Sequence, residues 1–166
     1  MFSAYQLSDF LKQQPSAYAN ISGSSSYPNI SGIVGFYQFN DGVLLAAEVE
    51  GLPNSKKPCE SSVFGFHIHE GSECSGNAED PFANTGGHYN PNKCPHPAHS
   101  GDLPPLFGNQ GYAFMAVFTN RFSVDEVINR TVVIHASLDD FSTQPAGNSG
   151  KKIACGRIIR MSRLRS

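Results

Sequence analysis

Six histidines carry the chemistry this sequence offers: His67, His69, His88, His96, His99 and His135. None occurs in the first 66 residues, and five fall between positions 67 and 99. His67 and His69 stand at i and i+2 in the apolar run Val63–His69, which reads as a strand. Side chains alternate along a strand, so both imidazoles leave one face and a single ion can accept both. His88 follows Gly86-Gly87, where a bare backbone permits close approach. His96, His99 and Asp102 are spaced by three, two nitrogens and an oxygen in a pattern that suits zinc. His135 ends the apolar run from Thr131, so its ring emerges at a sheet rim. A solitary strand histidine is more often a hydrogen-bonded or exposed imidazole than a ligand. Six of six at one group of loops point to a metal ion instead. An acid–base pair of His135 with Asp139 or Asp140 is the alternative use. No Gly-x-Ser-x-Gly turn, phosphate-binding glycine loop or dinucleotide fingerprint accompanies it.

The elements that must position these residues are strands. The chain has 166 residues, about one domain, and its 39% hydrophobic content with 12 Phe is enough for one core. With 16 Gly and 11 Pro, turns are frequent and a helical bundle is disfavoured. Strands are expected at 17–21, 33–39, 43–49, 63–69, 112–119, 131–135 and 153–159, with a hairpin turn at Asn40-Asp41-Gly42. Residues 8–14 read as a helical turn stopped by Pro15, and 123–128 as a loop or short helix. Seven or eight short strands without alternating helices predict an all-β fold, an antiparallel barrel or sandwich. Two long irregular loops interrupt it, 70–105 and 139–150. A structureless loop of the first length needs something else to order it. One domain is expected over 17–160, after an N-terminal extension of 1–16 and before a basic tail of 161–166.

The net charge of −2 lacks the basic surplus of a nucleic-acid binder. No apolar run of 18 residues exists to cross a membrane as a helix. No signal peptide is visible, which favours the cytoplasm, whereas four cysteines permit disulfides and export.

Several segments, in this order, resemble the copper/zinc superoxide dismutase family. They are Gly65-Phe66-His67-Ile68-His69-Glu70, Gly86-Gly87-His88-Tyr89-Asn90-Pro91, His99-Ser100-Gly101-Asp102-Leu103-Pro104, Val133-Ile134-His135 with Asp139-Asp140, and Gly147-Asn148-Ser149-Gly150 running to Ala154-Cys155-Gly156. The resemblance covers roughly residues 17 to 160. It implies an eight-stranded Greek-key β-barrel, with copper and zinc as cofactors and superoxide as substrate. Copper would be held by His67, His69, His88 and His135. Zinc would be held by His88, His96, His99 and Asp102, with His88 shared and also serving as the proton carrier. Asp139 would link a copper histidine to a zinc histidine, and Cys74–Cys155 would be the family disulfide. Lys152 falls where the family carries an arginine beside copper, and Lys lacks that planar fork. A homodimer is a further expectation.

The segment between His96 and His99 is much shorter than in the family. A complete zinc site and a copper-only or weak-zinc site both stay open on this ground. Cys59 and Cys94 lie outside the family pair; a disulfide between them would anchor the shortened loop, and free thiols are the alternative. The competing functions are a non-catalytic metal-binding module of the same fold and a zinc hydrolase. The module would lack a copper histidine, and all four are here. The hydrolase would need a general-base Glu, and Glu70 faces away from His69 on a strand.

Overall fold

The computed structural model describes residues 11–162 except 55, 56, 58, 59 and 61. Nine strands are described: β1 (Ala17–Gly23), β2 (Ser31–Phe39), β3 (Gly42–Glu50), β4 (Val63–Phe64), β5 (Phe66–His69), β6 (Leu106–Phe107), β7 (Ala113–Thr119), β8 (Thr131–His135) and β9 (Lys152–Arg160). A short α-helix, α1 (Val124–Val127), begins with Glu126 accepting the Ser123 backbone N–H at 2.7 Å. Of the turn expected over 8–14, residues 8–10 lie outside the described residues, as do most of the basic tail and Cys59.

Seven strands form one antiparallel sheet, ordered β5-β8-β9-β1-β2-β3-β7, curled into a half-barrel. The small β4–β6 pair joins its two ends along the chain, since β4 runs into β5 and β6 turns into β7. The register Phe39↔Gly42 makes Asn40-Asp41 a two-residue hairpin loop, the tightest connection between right-twisted strands.

The expected single strand over 63–69 is broken at Gly65. There the chain changes partners: β4 pairs with β6, whereas Gly65 donates to Ser137 O and accepts from His135 N, both at 2.8 Å. A Cβ at Gly65 would lie 2.7 Å from the Ser149 Cβ and 3.3 Å from the His135 Cβ, so only glycine lets the second long loop and β8 close in here.

Alternation sorts the strands into two faces. Phe66 and Ile68 of β5, Val132 and Ile134 of β8, and Ile158 of β9 join Val34, Phe36 and Leu45 in the main core. Each fully buried side chain of this size contributes roughly 1.5–3 kcal/mol. The opposite face of β5, β8 and β9 is covered by the two long loops, so β5 and β8 are buried on both sides. A second, small apolar cluster of Phe82, Val133 and Cys155 sits under the first loop. The Cys74–Cys155 disulfide ties that loop to β9. Backbone bonds do the rest: Glu70 N to Gly87 O, Gly71 N to Thr85 O, Tyr89 N to Ile68 O and Ile68 N to Gly101 O, all 2.8–2.9 Å.

Candidate metal centre

β5 sends His67 and His69 to the loop-covered face, and both are almost fully buried. β8 places His135 on the same side, at a register shift between Ile134 and His135. The first loop returns beside β5, with isolated bridges His69↔His88 and His67↔Asp102 delivering those two residues. One donor atom from each of His67, His69, His88 and His135 lies within 4.8 Å of the others. The same holds for His88, His96, His99 and Asp102, so His88 belongs to both groups.

Hydrogen bonds decide which nitrogen of each ring carries its proton. His69 Nδ1 lies 2.9 Å from Gly86 O, and His135 Nδ1 lies 3.1 Å from Gly150 O. A carbonyl only accepts, so each Nδ1 carries the hydrogen and each Nε2 is left with a bare lone pair. Those two Nε2 atoms face each other at 3.2 Å. Protonation does not relieve the clash. Burial, and then the His67 and His88 imidazoles, push the His135 pKa down to about 3, and burial with its histidine neighbours holds His69 well below its ordinary value. Burial lowers His67 as well. Two buried lone pairs at this distance call for a cation between them.

Asp139 settles two further rings. Its carboxylate accepts from His67 Nε2 at 2.7 Å and from His96 Nε2 at 2.9 Å. Burial opposes its ionisation, but the His67 hydrogen bond, the Phe141 N–H and His96 outweigh it and hold the carboxyl far below the usual range. His67 and His96 therefore keep lone pairs on Nδ1. The buried atoms His67 Nδ1, His88 Nε2, His96 Nδ1 and His99 Nδ1 have no hydrogen-bond partner. His96 Nδ1 and His99 Nδ1 do lie 3.0 and 3.2 Å from Asp102 Oδ2, without the alignment of a hydrogen bond. His88 Nδ1 is 2.7 Å from Asp102 Oδ1. Ligands on a tetrahedral zinc with ~2.0 Å bonds are separated by about 3.3 Å, close to the 3.0 and 3.2 Å observed here. The donor set fits its ions: three nitrogens and a carboxylate make a closed zinc site, and four imidazoles suit copper.

Gly147 is required by this geometry. Its φ is +65°, and a Cβ there would strike the Asp139 carboxylate and stand 2.6 Å from His96 Nε2. The shortened 96–99 segment reaches the site because side chains brace it. Gln144 brackets the His96 backbone, accepting its N–H at 2.9 Å and donating to its carbonyl at 2.7 Å. Arg121 Nη1 donates to the carbonyls of Pro97, His99 and Asp102 at 3.1–3.3 Å. Neither residue stands out in the sequence, since the contacts span 22 positions or more and leave no local pattern. The exception is the 19-residue reach to Asp102.

Lys152 pairs in register with His135, but its ammonium is engaged: Nζ donates to Asp80 Oδ2 at 3.0 Å and to Phe82 O at 3.1 Å. Sequence reasoning missed Asp80, which sits in a polar loop 72 positions away. Cys94 is a free thiol, with Sγ 4.0 Å from Asn92 O, which is the alternative to the expected bond with Cys59; Cys59 itself lies outside the described residues.

Neutral buried imidazoles make the metal-free protein acid-sensitive. The folded pKa values of His67, His69 and His135 lie below the unfolded value near 6.5, so the unfolded chain binds more protons as pH falls. Stability drops from about pH 6.5 downward, by at most ~1.4 kcal/mol per pH unit for each histidine. The lowered Asp139 and Asp102 carboxyls add a loss of the same sign below about pH 4. The urea midpoint of metal-free protein is expected to fall between pH 7 and 5. An unchanged midpoint would mean that these rings are not buried in the neutral form.

Comparison with known proteins agrees with this chemistry. A family model described as copper/zinc superoxide dismutase matches residues 30–158. The superoxide dismutase (Cu-Zn) of Deinococcus radiodurans is 32% identical over 161 residues, covering 86% of this chain and 84% of that one. The one from Legionella pneumophila is 31% identical over 166 residues, covering 95% and 92%. A crystal structure of a double mutant of a SOD-like protein from Bacillus subtilis superposes with a TM-score of 0.68 at 26% identity, covering 86% of this chain and 96% of that one.

Proposed function

This chain belongs to the copper/zinc superoxide dismutase family, and from that premise we propose how its residues divide the dismutation of superoxide among them. The reaction turns two superoxide anions and two protons into dioxygen and hydrogen peroxide. Bound copper supplies a one-electron acceptor and donor, which zinc, with no accessible second oxidation state, does not.

Copper would be held by His67 through Nδ1 and by His69, His88 and His135 through Nε2. Zinc would be held by His88, His96 and His99 through Nδ1 and by a carboxylate oxygen of Asp102. Asp139 fixes the His67 and His96 rings from behind, so that their lone pairs stay on the inner nitrogens. His88 faces both groups. Its Nε2 holds a proton in one half of the cycle and gives it to the reduced oxygen in the other; water supplies the second proton. Lys152 is the cation opposite His135 in register and attracts the anionic substrate at short range.

The observation that supports this reading is the convergence of unprotonated, buried imidazole nitrogens from β5, the first loop and β8. Its test is metal content measured together with superoxide consumption. One copper and one zinc per chain with rapid turnover is expected. Zinc alone, with no turnover after copper loading, overturns it. A homodimer belongs to the same proposal, and the exposed Phe107, Phe114 and Phe118 on β6 and β7 supply apolar surface for such a contact.

A further inference from the structure

We propose that Asp80 is a positioning residue that restrains anion capture: it holds the Lys152 ammonium in place and cancels its long-range attraction for superoxide. The inference rests on the reading of Lys152 as the substrate-guiding cation. Lys152 Nζ has two partners in the first loop, Asp80 Oδ2 at 3.0 Å and Phe82 O at 3.1 Å. The Lys152 side chain is 15% exposed and that of Asp80 is 40% exposed. Both line a cleft of about 520 Å³ that also touches Ser24, Tyr27 and Gly150.

The electrostatics follow from the separation. A lone ammonium is a monopole whose pull on an anion falls as 1/r. A carboxylate 3.0 Å away turns it into a short dipole, whose pull falls faster with distance. Superoxide far from the site is then steered little, in a chain whose net charge is −2. Close in, the ammonium still attracts the anion, and its bonds to Asp80 and Phe82 O fix where it stands. The two jobs of Asp80, placement and cancellation, are separable. Asparagine keeps a carbonyl oxygen for Lys152 Nζ and removes the charge.

Asp80→Asn is expected to raise kcat/KM about threefold at ~10 mM salt and to steepen its decline with ionic strength. Parent and variant should converge above ~0.5 M. Azide binding to the copper-loaded protein, an equilibrium readout without turnover, should tighten by a similar factor at low salt. Lys152→Glu runs alongside and should lower kcat/KM most at low salt. If Lys152→Glu behaves so while Asp80→Asn leaves rate, salt slope and azide affinity at the parental values, the proposal is overturned and Lys152 keeps its role. If Lys152→Glu matches the parent at every ionic strength, Lys152 leaves the mechanism and the proposal falls with it.

Discussion

Replacing Asp139 with alanine is expected to weaken zinc binding about 10- to 100-fold, although Asp139 donates no atom to either candidate metal group. Its carboxylate is the shared acceptor for His67 Nε2 and His96 Nε2, and also takes the Phe141 N–H at 2.8 Å. Removing it leaves two buried ring N–H groups without a partner, at about 1–3 kcal/mol each. The cheapest escape is tautomeric. Each proton moves to Nδ1, the atom each ring must present to its ion, and the metal then has to displace it. Asparagine should fall between parent and alanine, because its carbonyl oxygen can accept one ring N–H whereas its NH2 only donates. Asp140 is the control. It is the next residue, exposed, and its carboxylate accepts only from Ser142 and Thr143 within its own turn. Chelator competition for zinc measures all three variants. Equal losses for Asp139→Ala and Asp140→Ala, or an Asp139→Ala affinity within about twofold of the parent, would remove the tautomer argument.

That carboxylate shows what the sequence makes legible and what it conceals. Periodicity places His67 and His69 on one face, and the apolar run before His135 puts that ring at the end of β8; both follow from alternation and need no tertiary information. The length of the polar stretch after Glu70 announces a loop ordered by something other than its own backbone. Partner choice is the part that sequence does not display. Gly65 reads as one residue in a continuous strand, yet the chain exchanges β6 for β8 as its neighbour there. The spacing of His96 and His99 is open to two outcomes. Gln144, 48 positions away, and Arg121 supply the bracing that brings both rings to Asp102. Lys152 stands out only through the family resemblance, as a cation expected beside copper, whereas its neutralising partner is an unremarkable aspartate in a turn.

Removing the Cys74–Cys155 disulfide is expected to lower stability by about 4.5 kcal/mol in the chain-entropy model, for a bond that spans 81 positions. For a domain of this size that is roughly 10 to 15 °C in Tm. The variant should be Cys74→Ser with Cys155→Ala. Cys74 is exposed and tolerates a hydroxyl, whereas Cys155 packs against Phe82 and Val133, where an unpartnered hydroxyl would be costly. Changing both also avoids leaving a thiol free to pair with Cys94. Two mechanisms could deliver the loss, and metal separates them. If the bond acts by restricting the unfolded chain, the loss is the same with and without bound metal, because the unfolded chain carries the same extra freedom in both cases. If it acts by ordering the first loop in the folded state, bound metal substitutes for it by tying His88 to the β5 histidines, and the loss shrinks in the metal-loaded protein. The folded loop already has other anchors: the Glu70–Gly87 and Gly71–Thr85 backbone bonds, Phe82 on Val133, and the Lys152 contacts to Asp80 and Phe82. Those anchors favour the first mechanism, so equal losses in metal-free and metal-loaded protein are expected by urea titration. A loss confined to the metal-free form would show that the disulfide is what holds the first loop, and with it His88 and the Lys152 clamp, in place.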